Sequence, residues 1–150
     1  MTNTIDTLND LIETLKDGQE GFRAASADVE SSDLKQLFSQ YSLQRSSFAG
    51  ELQALAHSFG ESTPTTTGSV AGALHRGWMD LKAAIVSRDE HAILAECERG
   101  EDYALAAYQK ALALPGVPMN VVDTLRTQAI DVKAVHDHIR TLRDALAPTT

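Results

Sequence analysis

Apolar residues recur along this chain at intervals of three and four, and that spacing predicts helix almost throughout. Leu8, Leu11, Leu15, Phe22, Ala25 and Val29 share one face, with Ile5 and Ile12 at its edge, so a first helix runs from Thr4 or Asp6 to about Val29. Gln19 is the polar member of that face, Gly18 beside it lets a neighbouring helix come close, and Glu13 and Glu20 fall on the opposite, solvated side. Glu30-Ser31-Ser32-Asp33 reads as a turn with Ser31 or Ser32 as N-cap. A second helix follows to about Ser58, with Leu34, Leu37, Phe38, Tyr41, Phe48, Leu52, Leu55 and Phe59 along its stripe. Arg45 stands close to the centre of this apolar stripe.

Residues 60–68 (GESTPTTTG) have the composition of a loop. Val70, Leu74, Trp78, Leu81 and Ile85 then predict an amphipathic helix over 69–87. Asp89 can cap the next helix, from Glu90 to about Leu114. Its stripe holds Ile93, Leu94, Cys97, Ala104, Leu105, Tyr108, Ala111 and Leu112, with Glu101 in the middle. Pro115-Gly116-Val117-Pro118 ends that helix and starts another. The last helix turns Val122, Leu125, Ala129, Val132, Val135, Ile139, Leu142 and Leu146 inward, with His136 on the flank and His138 pointing away.

Composition narrows the function classes. A length of 150 residues fits a single domain over 1–150 with a real core. Aromatics at 5% and four prolines, three of them past residue 110, favour helices over a β-sandwich. A net charge of −8 argues against nucleic acid or an anionic membrane as partner. No apolar run is long enough to span a membrane, and residues 1–10 have neither a basic start nor an apolar core, so no signal peptide is expected. The single Cys97 rules out an internal disulfide and fits a reducing compartment, the cytoplasm. On its apolar stripe it reads as an inert small hydrophobe rather than a nucleophile.

A carboxylate in the centre of a buried face must be paired, bound or protonated. Four helices of about 25 residues, with a long connection between two tight hairpins, make a four-helix bundle with one crossover, the ferritin-like topology. In that topology Arg45 and Glu101 come to the same mid-height layer. We therefore expect a buried polar layer built on Glu101 and Arg45, completed by Gln19, Gln128, Tyr41 and Tyr108. The alternative for Arg45 is a stem laid on the core with its guanidinium in water.

Three segments, LNDLIETLKDG (8–18), GALHRGWMDLKAAI (72–85) and ILAECERGED (93–102), resemble a bacterial family of ferritin-like four-helix-bundle proteins of unknown function. The resemblance covers residues 5–146 and implies an all-α, ferritin-like fold with a fifth, amphipathic helix in the crossover. It implies no activity. Relatives by fold include iron-storing and di-iron oxidase proteins, which raises the question of a metal.

A di-iron bundle draws a carboxylate from each of two helices and a Glu-x-x-His from each of the other two. No Glu-x-x-His or Asp-x-x-His occurs here: Ala54, Gly72, Arg88, Lys133 and Val135 stand three residues before the five histidines. An Arg in the middle of a would-be cation site also argues against that site. The leading expectation is a cytoplasmic, non-enzymatic bundle without cofactor, acting through a protein partner or self-association, with Trp78 and Met79 as candidate contact residues. The alternative is a metal-binding ferritin-like protein, for iron handling or di-iron oxidation, with Glu101 and His136 as ligands to iron or manganese. Glu98 and Asp102 are expected to form a solvated flank rather than an acid–base pair. Gly100 is expected to admit a neighbouring helix, with Trp78 of the crossover as the candidate.

Overall fold

The computed structural model describes residues 2–60 and 80–146, and the regular structure among them is helical. The chain begins with α1 (Thr2–Asp28) and α2 (Ser32–Ser58). Residues 80–87 are the described part of α3. Two further long helices, α4 (Glu90–Leu112) and α5 (Met119–Ala145), complete the molecule. None of the described helices is long and apolar enough to cross a membrane. Trp78 and Met79, the expected contact residues, lie outside the described residues, as do 61–68, expected as loop, and 69–79 of the expected amphipathic helix.

Local chemistry sets the helix starts. Ser31 Oγ accepts from the Leu34 N–H at 3.3 Å, and Asp89 Oδ1 accepts from the Ala92 N–H at 3.2 Å. Each satisfies one of the donors that a helix start leaves over. Arg88, just before the Asp89 cap, takes a positive φ of 58°, which makes the sharp turn from α3 into α4. Gly116, with φ of 77°, does the same between α4 and α5 at lower cost.

The buried side chains form two apolar clusters. One contains Leu8, Leu11, Leu15, Phe48, Leu52, Ala104, Leu125 and Val132. The other contains Phe22, Val29, Phe38, Tyr41, Leu81, Ile93, Cys97 and Ile139. Along α1 the chain passes from the first cluster to the second between Leu15 and Phe22; along α2 and α4 it passes back, between Tyr41 and Phe48 and between Cys97 and Ala104. Each crossing takes about two helical turns. α5 starts in the first cluster and ends in the second. So α1 and α5 run one way and α2 and α4 the other, and the connection holding α3 must return the chain along the molecule's length.

α1 packs on α2 and on α4, α4 packs on α5, and α2 meets α5 along the loosest side. The diagonal pairs, α2 with α4 and α1 with α5, keep their Cα traces more than 8 Å apart. Glu13 is half-buried rather than solvated, because α4 covers that flank of α1 with Tyr103. Trp78, the expected neighbour of Gly100, lies outside the described residues; among the described ones a close approach of α3 falls at Gly21, where a Cβ would meet Leu81 Cδ2 at 3.2 Å.

Candidate functional site

The two-turn gaps between the apolar clusters fall around Gly18 on α1, Arg45 on α2 and Glu101 on α4. Arg45 and Glu101 fill the middle. Arg45 is 1% exposed and Glu101 2%. The guanidinium donates from its two terminal nitrogens to the two carboxylate oxygens, at 2.7 Å to Oε1 and 2.6 Å to Oε2. This is the parallel, two-bond geometry in which Arg and carboxylate match best. The pair spans the diagonal between α2 and α4, a gap that a long Arg side chain can cross. Arg45 Nε donates to Gln44 Oε1 at 3.2 Å, and the Phe22 ring lies 5.4 Å from the guanidinium carbon, a cation–π contact. Burial pushes the Glu101 carboxyl above its ordinary value, and the charge and hydrogen bonds of Arg45 pull it back.

One layer away, the Tyr108 hydroxyl donates to Gln128 Oε1 at 2.7 Å. Gln128 Nε2 donates in turn to the Phe48 carbonyl at 3.3 Å, and Glu51 Oε1 lies 3.5 Å from the same nitrogen. Gln128 thus ties α5 to α2 across their loosest side. The other two residues expected in the polar layer are placed differently. Gln19 is half-buried, and its contribution is a main-chain carbonyl that accepts from Ser42 Oγ at 2.9 Å. Tyr41 stacks its ring edge-on to Phe22 and sends its hydroxyl outward to His138 Nδ1, 2.7 Å away. His138, expected to point away, is the partner that draws the hydroxyl off the layer. A cavity of about 330 Å³ opens beside the ion pair, where Gly18, Gly21 and Gly100 leave out side chains between α1, α3 and α4.

The mid-core donor set does not fit a metal. Both oxygens of Glu101 already accept from a fixed cation, and Arg45 occupies the space between the helices. His136 meets other partners: its Nε2 lies 2.8 Å from Asp102 Oδ1 and 3.4 Å from Glu98 Oε2, and its Nδ1 lies 3.0 Å from Asp137 Oδ1. Glu98, expected in water, is buried against α5, where Arg143 holds its Oε1. Asp102 does stay exposed. The sequence signal for Glu98 was weak, since a residue at the edge of a stripe is buried or not according to the helix that arrives beside it. Cys97 is buried, and desolvation raises its thiol far above the usual range, which disfavours the thiolate.

No curated protein matches this chain. Residues 3–114, from the start of α1 to just past the end of α4, match the family described as a domain of unknown function, DUF2383. Arg45 and Glu101 lie inside the matched span, while Gln128 and His136, on α5, lie beyond it. The match covers about three quarters of the sequence, and the chain belongs to the DUF2383 family.

Proposed function

We propose that this chain is a single-domain, ferritin-like four-helix bundle of the bacterial cytoplasm that carries no metal at mid-height and acts, without catalysis, through protein contacts or self-association. The observation that carries the reading is the buried Arg45–Glu101 pair. In a di-metal bundle several carboxylates and imidazoles converge on ions. Here the described residues at that height include one saturated carboxylate, one guanidinium and a glycine, with a Tyr–Gln hydrogen bond one layer away. The helix directions, with α2 and α4 alike and a long connection between them, support the ferritin-like topology. A role in contacts draws support from Leu43, Val86, Met119 and Ile130, which are large, apolar and exposed. On this reading Trp78 and Met79, outside the described residues, are further candidate contact residues.

Metal analysis of protein purified without chelators tests the reading. It predicts no pair of iron or manganese ions held at Glu101. Two such ions per chain, lost on Glu101→Ala, would establish the iron-handling or oxidase alternative instead.

A further inference from the structure

We infer that Glu98, Asp102 and His136 form a binding site for a single divalent transition-metal ion at the edge of the α4–α5 contact, separate from the mid-core ion pair. Glu98 and Asp102 are four residues apart, so α4 presents them on one face, and α5 brings His136 to meet them. Their ligand atoms all lie within 4.8 Å of one another. A zinc ion with bonds of about 2.1 Å holds neighbouring ligand atoms roughly 3.4 Å apart in tetrahedral geometry. Glu98 Oε2 already lies 3.4 Å from His136 Nε2, and Asp102, at 2.8 Å, is exposed and can shift to meet an ion.

The hydrogen-bond arithmetic of His136 points to a cation at this place. The imidazole is nine-tenths buried, and a carboxylate faces each of its nitrogens. Carboxylates only accept, and a neutral imidazole has only one N–H to give. Asp137 Oδ1 lies against Nδ1, and Nε2 faces two further carboxylate oxygens, an arrangement that a cation between Nε2 and those oxygens would satisfy. In the ion pairs around this cluster four carboxylates, of Glu98, Asp102, Asp137 and Asp144, meet two fixed cations, Arg143 and Lys133, which favours a bound cation beside them. Arg143 holds Glu98 by Oε1 and leaves Oε2 to the site. Asp137 on Nδ1 is the outer-shell carboxylate that metal-binding histidines commonly have, fixing the ring and making Nε2 a better donor. One imidazole nitrogen and two carboxylate oxygens suit Zn²⁺, Mn²⁺ or Fe²⁺ better than Mg²⁺ or Ca²⁺. Solvent on the Asp102 side leaves a position open for water.

The test is a calorimetric titration of the chelator-stripped full chain with Zn²⁺, repeated with Co²⁺ and followed by its visible absorption. We expect one ion per chain. Asp102→Asn and His136→Gln should each weaken binding about tenfold or more, and Asp137→Asn, which removes an outer-shell partner, by roughly tenfold. Because Asp102 is exposed, Asp102→Asn keeps its fold, which circular dichroism checks, and decides the matter even if His136→Gln does not fold. No saturable binding, or binding that survives Asp102→Asn unchanged, would overturn the site. Neither outcome bears on Glu101, whose own ions, if any, are read by Glu101→Ala.

Discussion

Glu101 stood out in the sequence because a short carboxylate in the middle of an apolar stripe needs a partner, whereas the long Arg45 side chain could equally have reached water, and it took the fold to pair the two. Glu98 and His136 were not legible, since each stands at the edge of its stripe and is buried only by the neighbouring helix. Tyr41 shows a third case: it lies on the stripe, yet a hydroxyl at the end of a ring can leave the layer its ring belongs to. Burial also moves the tyrosines' acidity. Desolvation pushes Tyr41 up to about 12 and raises Tyr103 and Tyr108 as well. All three tyrosines of the chain are thus displaced in the same direction. In alkali the unfolded chain loses its phenolic protons first. The stability they contribute is therefore complete below the ordinary tyrosine value of about 10 and falls as pH rises from there. Phenolate absorbance of the native protein should rise mainly above about pH 10, and urea midpoints should drop between about pH 10 and pH 12. A native phenolate step at the ordinary value would contradict the burial described.

At the scale of elements, the helix ends followed from chemistry that can be read locally. Ser31 and Asp89 cap α2 and α4, and the Pro115–Pro118 stretch separates α4 from α5. Asp89 carries the larger burden, because it follows Arg88 in a strained backbone and anchors the return from the crossover. Asp89→Ala should lower stability by about 1 kcal/mol in urea unfolding, the usual loss for a helix cap. A change near zero would mean that the turn is held by other contacts. What local patterns could not supply was the rotation of one helix against another. Gly100 reads as a small residue for close packing, but among the described residues the tight approach of α3 falls at Gly21 on α1, which the pattern did not mark. Likewise, the register of α5 on α4, which sets His136 against Glu98 and Asp102, depends on side chains from both helices at once.

At the scale of the whole molecule, two apolar halves meet at a polar layer, and the pair in that layer crosses between helices whose backbones do not touch. Such an arrangement favours one alignment of the four long helices, since sliding any of them would strand a charge in an apolar half. Helix lengths and the mid-height placing of Arg45 and Glu101 could be read from spacing and turn positions. The packing of neighbours around the core could not, because it depends on which flanks match. The most direct test is a double-mutant cycle on Arg45→Met and Glu101→Leu, followed by urea unfolding. Each single change strands the opposite charge and should cost roughly 3–5 kcal/mol, while the double variant, apolar on both sides, should lose far less than their sum. A double variant that folds where either single one does not would give the same answer. Additive losses would contradict the account, for they would mean that the two side chains do not depend on each other and that no fixed cation neutralises the interior acid.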